Sequence, residues 1–187
     1  MPMQLDGPGF APLSGGKADY LVVLLHGVGA NGNDLILLAR AWRKILPEAE
    51  FIAPNAPFPY DDAAEARQWF SLRDRSPEKL LACLREAGAI LDRFFDELLA
   101  SRQLGDARLA LTGFSQGAAT ALYAGLRRQM QIAGIVAFSG ACRAARGWGA
   151  TSAANRRFSS GTERRTKLCL SSRWRTRSRR SKRLACP

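Results

Sequence analysis

Short apolar runs, separated by longer amphipathic segments, make up the first 141 residues of the chain. The clearest run, Tyr20–Leu25, is rich in Leu and Val and contains no charged residue, which is typical of a parallel strand buried on both faces. Three further apolar runs predict strands at residues 51–53, 109–112 and 132–138.

Helical periodicity occupies the intervals between these runs. The longest helix is predicted to begin with Ser76 as its N-cap and Pro77 as its first residue, and to end near Gly105. Its apolar residues recur every three or four positions and form one broad face. Two shorter helices are predicted: one capped by Asn33 or Asp34 that runs to Ile45 before Pro47, and one that runs from residue 118 to about Arg128.

Strands that alternate with helices predict an α/β domain with a mainly parallel sheet. Residues 1–19 are rich in Gly and Pro and are expected to add at most one short edge strand, and residues 54–76 are expected to form a loop. The alternation ends at Ala141. We therefore predict a core domain over residues 1–141 and an atypical Arg/Ser-rich tail over residues 142–187.

The pentapeptide G-F-S-Q-G at residues 113–117 lies between a predicted strand and a predicted helix. Strand, G-x-S-x-G and helix in that order are the pattern of a nucleophile elbow, in which a strained turn holds a serine hydroxyl above the sheet. Glycines two residues before and two after the serine are expected, because side chains there would collide with the neighbouring strand and helix. The sequence therefore predicts Ser115 as a catalytic nucleophile.

The residues that activate such a serine are missing from their expected places. A serine hydroxyl needs a base, normally a histidine oriented by a carboxylate. In the fold that carries this elbow, both follow the serine along the chain. The single histidine, His26, precedes Ser115, and the single acidic residue after it is Glu163. We therefore expect very low esterase activity from this polypeptide.

Residues 27–32 spell G-x-G-x-x-G between a strand and a helix, which admits two interpretations. A dinucleotide site would need an acidic residue after the second strand, but that strand ends in A-P-N at residues 53–55. The alternative is an oxyanion hole, built from the N–H after the nucleophile and an N–H of the loop after an early strand. Those donors would be the main-chain N–H groups of Gln116 and Val28.

Four motifs in this order resemble the phospholipase/carboxylesterase family of α/β-hydrolases, which includes acyl-protein thioesterases and bacterial carboxylesterases. The motifs are L-L-H-G-V-G-A-N-G-N-D at residues 24–34, A-P-N-A-P at 53–57, R-Q-W-F at 67–70 and G-F-S-Q-G at 113–117. The resemblance covers about residues 18–141. It implies an α/β-hydrolase fold whose last strand-helix units are missing or replaced in this chain.

The same resemblance implies hydrolysis of carboxylic esters, thioesters or lysophospholipids through an acyl-serine intermediate, without a cofactor or a metal. It assigns Ser115 as the nucleophile, Val28 and Gln116 as the oxyanion donors, and Trp69 and Phe70 to an acyl-binding surface. The expected partner is a small acyl ester or thioester, and a homodimer is left open. The family's acidic residue, in an H-G-x-x-D-x-x-V-P-like segment, and its later histidine have no counterpart here.

Several of these residues also have a structural interpretation. His26 fits a hydrogen-bonded support of the oxyanion loop better than a catalytic base. Trp69 and Phe70 could equally cover the core. Asp34 fits a helix cap or a surface position.

The charge of the chain is concentrated in its last quarter. Residues 1–141 hold 14 basic and 15 acidic residues, a net charge of −1, whereas residues 142–187 hold 14 basic residues and one acidic residue, a net charge of +13. Such dense like charges repel one another and cannot form a core. We interpret the tail as disordered or as the product of a shifted reading frame, because a GC-rich gene read out of register yields Arg-, Ser- and Ala-rich sequence.

Two consequences follow from this tail. Without further strands, the sheet is expected to end at residues 132–138 and to expose an unpaired apolar edge that promotes aggregation. An alternative function of a different class is a non-catalytic hydrolase-like domain with a basic arm that binds nucleic acid or an anionic surface. The tail offers only Trp148, Phe158 and Trp174 for stacking, so no specific nucleic acid is expected.

The remaining composition favours a cytoplasmic protein. The four cysteines, Cys83, Cys142, Cys169 and Cys186, form no C-x-x-C pair, and one histidine cannot complete a Cys/His zinc site. The N-terminus shows no apolar stretch of a secretory signal. The longest apolar run, at residues 21–25, is too short to span a membrane.

Overall fold

The computed structural model describes residues 5–140 and the backbone of one further strand at residues 166–170. Its strands are β1 Gly9–Phe10, β2 Tyr20–Leu25, β3 Ala49–Ile52, β4 Phe58–Tyr60, β5 Ala63–Gln68, β6 Leu109–Phe114, β7 Gly134–Phe138 and β8 Thr166–Leu170. Its helices are α1 Gly32–Ile36, α2 Ala39–Trp42, α3 Pro77–Arg102 and α4 Gln116–Arg127, with a 3₁₀ turn at Asp106–Arg108.

Six strands form the central sheet in the order β1-β3-β2-β6-β7-β8. The four inner strands are parallel, and the two edge strands, β1 and β8, each run antiparallel to their neighbour. The mainly parallel α/β sheet and the short N-terminal edge strand are therefore confirmed. In register, Leu25 at the end of β2 lies beside Gly113 near the end of β6. The segments that follow these two strands thus emerge side by side at one edge of the sheet.

The core lies on both faces of the sheet, as the apolar sequence of β2 predicts. Leu21, Val23 and Leu25 pack in the larger cluster, with α3 and α4, while Val22 and Leu24 pack in the smaller one, with α1 and α2. The alternation follows from the two-residue period of a strand. Because both faces of β2 are packed, the strand is held in place, and so is the start of the loop that follows it.

The prediction of one continuous helix up to Ile45 is wrong, and so is its predicted N-cap. Two short helices, α1 and α2, replace it, linked by i to i+3 bonds such as the one from the Leu38 N–H to the Leu35 carbonyl. Asn31, not Asn33 or Asp34, is the N-cap. Asp34 serves the cap from the third helical position, where its carboxylate accepts the Asn31 N–H at 3.0 Å.

The loop predicted for residues 54–76 is also wrong in part, because a two-stranded hairpin, β4 and β5, lies within it. Pro59 and the alanines of β5 are poor strand formers, so no alternation of apolar and polar residues marks these strands. Tertiary contacts select the hairpin instead. The main chain of Arg67 forms a bridge with Ala30 in the loop after β2, and the hairpin thereby joins the loops around the candidate site.

The predicted start of α3 is confirmed in position, with Ser76 at the N-cap and Pro77 first, although the Ser76 side chain makes no capping hydrogen bond. Its predicted end at Gly105 is wrong. Gln103 terminates the helix in the left-handed conformation, with φ of 57°. At this end, the Arg102 guanidinium binds both carboxylate oxygens of Glu50, at 2.5 and 2.6 Å, and ties α3 to β3.

The expectation of an unpaired sheet edge at β7 is wrong. Strand β8 covers that edge in antiparallel register, with Gly134 beside Leu170 and Phe138 beside Thr166. The antiparallel direction differs from that of the four inner strands, so the final strand does not continue the parallel repeat. The tail interpretation itself, over residues 142–187, otherwise lies outside the described residues.

Candidate active site

Ser115 occupies a sharp turn between β6 and α4, as the G-x-S-x-G pattern predicts. Its backbone has φ of 51° and ψ of −111°, a conformation that costs a non-glycine residue free energy. Its N–H donates to the Phe138 carbonyl at 2.9 Å, and its carbonyl accepts the N–H groups of Ala118 and Ala119. The serine is half-buried, so its side chain is held in place and still reachable from solvent.

The two glycines of the pattern are required by close packing. A Cβ built on Gly113 would collide with the carbonyl oxygen of Gly117, in the first turn of α4. A Cβ on Gly117 would collide with the carbonyl oxygens of Leu25 and His26, at the end of β2. These contacts confirm the expected collisions with the neighbouring strand and helix, and they press the serine turn against the loop after β2.

That loop supplies the proposed second half of an oxyanion hole. A Cβ built on Gly27 would lie 3.2 Å from Cδ1 of Phe114 and 3.6 Å from Cβ of Ser115, so the loop touches the serine turn. Within the described part of the chain, the main-chain N–H groups of Val28 and Gln116 donate to no acceptor. Among the described residues, the loop after β2 and the turn at Ser115 therefore each present one main-chain N–H without an acceptor.

The β4–β5 hairpin holds the loop after β2 by main-chain hydrogen bonds. Gly29 adopts φ of 78°, and its N–H donates to the Arg67 carbonyl at 2.9 Å. The Arg67 N–H in turn donates to the Ala30 carbonyl at 3.2 Å. The N–H of Gly29 therefore has an acceptor in the hairpin, whereas the N–H of the preceding residue, Val28, has none among the described residues.

His26 is a structural residue of this loop, which confirms the structural interpretation of its sequence position. Its Nδ1–H donates to the Gly27 carbonyl at 2.7 Å, and its Nε2 accepts the Ala56 N–H at 2.9 Å. An acceptor at Nε2 fixes the neutral tautomer with the proton on Nδ1. Burial lowers the pKa of His26, against the opposing effects of the Gly27 carbonyl and Asp34. Both ring nitrogens are engaged, so neither is free to deprotonate Ser115.

The side chain of Gln116 joins the turn at Ser115 to the aromatic segment, which is Trp69 and Phe70. Its Oε1 accepts the Trp69 N–H at 2.9 Å, and its Nε2 donates to the Phe70 carbonyl at 2.6 Å. The Trp69 indole N–H reaches the His26 carbonyl at 2.9 Å. Asn55 closes the set, because its side-chain oxygen accepts the Gly32 N–H at 2.9 Å. The four sequence motifs are thus linked to one another by hydrogen bonds.

Trp69 and Phe70 lie in the larger core cluster, with 0% and 6% of their surface exposed. This burial favours the interpretation that they cover the core, and their contact with an acyl group stays a prediction. Sequence reasoning assigned Gln116 only through its main chain and missed its side chain. No local pattern could have revealed that contact, because 47 residues separate Gln116 from Trp69.

Other chemistry is not indicated in the part of the chain that the structure describes. No group of three or more His, Cys, Asp or Glu residues that could hold a metal ion occurs among residues 5–140. Within the same residues, no helix is both long and apolar enough to cross a lipid bilayer. The features available for chemistry at this edge of the sheet are a strained serine and two unused N–H donors.

Known proteins are similar to this chain in sequence. The acyl-protein thioesterase 1 of Schizosaccharomyces pombe is 34% identical over 125 residues, which are 64% of this chain and 54% of that protein. The acyl-protein thioesterase 1 of Emericella nidulans is 29% identical over 136 residues, 66% of this chain and 57% of that protein. This chain therefore spans little more than half the length of these curated relatives.

A solved structure agrees with the sequence relatives. The crystal structure described as esterase PE8 is 43% identical and superimposes with a TM-score of 0.69, over 73% of this chain and 64% of that one. The phospholipase/carboxylesterase family matches residues 13–160, more than three quarters of the chain. With the serine turn, the glycine loop and the aromatic segment all in their expected order, this chain belongs to the phospholipase/carboxylesterase family.

Proposed function

We propose that Ser115 is the nucleophile of a carboxylic ester or thioester hydrolase. The observation that carries this proposal is the conformation of Ser115, a strained non-glycine residue between a buried strand and a helix, beside two N–H donors that have no acceptor among the described residues. Strain of this kind persists where the surrounding structure imposes it, and it is concentrated at active sites. Membership of a family of phospholipases and carboxylesterases supports the same reaction class.

The proposed reaction is transfer of the acyl group to Ser115, followed by its hydrolysis. The Ser115 Oγ attacks the acyl carbon, and the carbonyl oxygen becomes an oxyanion that accepts hydrogen bonds from the N–H groups of Val28 and Gln116. The carbon–oxygen or carbon–sulfur bond to the leaving group then breaks, which leaves an acyl group on Ser115. Water attacks that acyl group, releases the carboxylic acid and restores the serine. Trp69 and Phe70 are proposed to shape the acyl-binding surface.

The proton of the serine hydroxyl has no internal acceptor in this proposal. His26 uses both ring nitrogens, and the chain contains no other histidine. The proton therefore passes to water or to a buffer base. Loss of a complete triad typically lowers kcat by about 10⁶-fold and leaves roughly 10³–10⁴-fold catalysis over water from the oxyanion hole and binding. We expect hydrolysis by the full chain at that residual level.

Labelling of the full chain with a fluorophosphonate probe tests the nucleophile, because the probe forms a stable bond to the oxygen of a serine that attacks it, with or without a base. We expect slow labelling of the wild type that Ser115→Ala abolishes. Ser139 is the matched control, because it also has a positive φ, 52°, and follows the neighbouring strand β7. Ser139→Ala should label like the wild type. Labelling that survives Ser115→Ala, or no labelling of the wild type, would contradict the proposal.

The whole protein's activity depends on what residues 142–187 contribute. We propose that they are an atypical tail to the 1–141 core that arises from a shifted reading frame, although one of its segments, β8, pairs with β7. Translation of the same DNA in the other two frames after codon 141 tests this. An aliphatic strand followed by a Gly-Asp segment and a later histidine should appear in one frame, and its absence from both would reject the idea.

The second candidate function is a hydrolase-like domain without catalysis whose basic tail binds nucleic acid or another polyanion. The net charge of +13 in residues 142–187 is the observation in its favour. Binding to a random single-stranded oligonucleotide that falls steeply with salt, together with no Ser115-dependent labelling, would favour this function over hydrolysis.

We propose a cytoplasmic location for the hydrolase, and the free thiol of Cys83 is consistent with it.

A further inference from the structure

The side chain of Gln116 occupies a place that its backbone role does not require. It is 6% exposed and makes two hydrogen bonds, both to the main chain of the segment that carries Trp69 and Phe70. One bond uses the amide oxygen as an acceptor, and the other uses the amide nitrogen as a donor. Asn and Gln are the side chains that carry an acceptor oxygen and an NH2 donor on one amide, and Asn is one methylene shorter.

These two bonds connect both halves of the proposed oxyanion hole. Gln116 carries one N–H donor on its own backbone. Through Trp69, whose indole N–H donates to the His26 carbonyl, the same side chain supports the loop that carries the Val28 N–H. The path from one donor to the other therefore runs through two buried hydrogen bonds, one between Gln116 and Trp69 and one between Trp69 and His26. Movement of the aromatic segment would shift the two donors relative to each other.

We propose that the Gln116 side chain is a positioning residue that fixes the distance between the Gln116 and Val28 N–H donors by holding the Trp69–Phe70 main chain. The inference rests on the proposed function, because it concerns the oxyanion hole of that reaction. It assigns the side chain a function separate from that of its backbone. A displacement of about 1 Å in a reacting geometry can lower a rate by about 10²-fold.

Two substitutions separate the donor from the acceptor. Gln116→Glu keeps an oxygen for the Trp69 N–H but presents a second oxygen to the Phe70 carbonyl, so it loses the donor when ionised. Gln116→Met has a similar length and keeps neither group. Thr120→Val is the matched control, because the buried Thr120 hydroxyl donates to the Gln116 carbonyl at 2.9 Å on the same helix and, among the described residues, forms no hydrogen bond with Trp69 or Phe70.

The rate of Ser115 labelling by a fluorophosphonate is the first measurement, on the full chain and across a range of pH. We expect about a 10²-fold lower rate for Gln116→Met at every pH, relative to the wild type at the same pH. Gln116→Glu should match that loss at pH 8 and regain labelling as the pH falls, because a neutral carboxylic acid can again donate to the Phe70 carbonyl. Thr120→Val should label like the wild type.

Amide hydrogen exchange of the Trp69 N–H is the second measurement. Exchange should accelerate in Gln116→Met, which lacks the acceptor, and stay slow in Thr120→Val. If exchange accelerates in Gln116→Met while its labelling rate is unchanged, the Gln116 side chain has only a structural role. If exchange does not change in Gln116→Met, the hydrogen bond between Gln116 and the Trp69 N–H does not exist in solution. Either result overturns the inference while Ser115-dependent labelling of the wild type upholds the proposed function. A wild type without such labelling refutes both.

Discussion

The indole N–H of Trp69 donates to the main-chain carbonyl of His26 at 2.9 Å, in a place where both residues are almost wholly buried. The two rings also lie near each other, with 5.5 Å between their centroids and an angle of 40° between their planes. Through this contact, the residue that follows the β4–β5 hairpin supports the loop after β2, which carries Gly27 and Gly29. Several properties of the protein should depend on it.

Trp69→Phe should destabilise the protein by about 1–3 kcal/mol, because it leaves the buried His26 carbonyl without its donor. The free energy of unfolding, obtained from urea titration, is the measurement. Trp42→Phe is the control, since Trp42 is half-buried at the end of α2 and outside this network. A loss for Trp69→Phe no larger than that for Trp42→Phe would show that the hydrogen bond contributes nothing.

Stability should decrease as the pH falls through the range in which histidine titrates. Burial lowers the pKa of His26 in the folded protein, so the unfolded chain takes up the proton first, near its ordinary pKa of about 6.5. The favourable contribution is complete above that pH and is lost as the pH falls toward the lower folded pKa. For one proton, the slope reaches at most about 1.4 kcal/mol per pH unit.

Urea titrations at a series of pH values check this dependence. His26→Gln is the comparison, because glutamine does not titrate and the chain has no other histidine. The variant should be less stable than the wild type at pH 8, and the difference should shrink as the pH falls below about 6.5. Parallel curves for the two proteins would mean that the pKa of His26 is not lowered.

Ser115→Gly should stabilise the protein while it removes the nucleophile. A serine at φ of 51° and ψ of −111° carries a backbone cost of about 1–3 kcal/mol that glycine avoids. The greater freedom of glycine in the unfolded chain offsets about 0.4–1 kcal/mol of that gain. Ser115→Ala keeps the cost and should show no gain. Equal unfolding free energies for Ser115→Gly and Ser115→Ala would refute stored strain at this turn.

Two of the three carboxylates around Arg128 should differ in how much stability is lost when each is neutralised. The Arg128 guanidinium binds Asp106 at 2.5 Å, whereas its nearest approach to the Asp92 carboxylate is 3.6 Å, too long for a hydrogen bond. Asp106→Asn should cost about 1–3 kcal/mol, because it weakens a charged hydrogen bond of an arginine side chain that is only 11% exposed.

Asp92→Asn should cost less stability than Asp106→Asn at pH 7. Burial raises the pKa of Asp92, against the opposing effect of Arg128, so the charged form is held at a cost that asparagine removes. Thermal unfolding of the two variants in one buffer gives the comparison. A larger loss for Asp92→Asn than for Asp106→Asn would contradict this ordering.

Local sequence was sufficient for the parts of this fold that depend on neighbouring residues. The apolar run of β2 predicted a strand buried on both faces, and the G-x-S-x-G pattern predicted the turn at Ser115. Pro77 marked the first residue of α3. In each case, residues within a few positions of one another set the backbone conformation, by hydrophobic period or by steric restriction. The absence of a second histidine is likewise a property of sequence alone.

Tertiary structure decided the remainder, because its contacts join segments that are distant in sequence. The hairpin of β4 and β5 has a weak strand sequence and depends on the bridge between Arg67 and Ala30. The tautomer of His26 was set by an N–H 30 residues away, in Ala56. The side chain of Gln116 found its partners in a segment 46 and 47 residues earlier. Composition and periodicity carry no information about such pairings, since only the folded sheet brings their atoms within hydrogen-bonding distance.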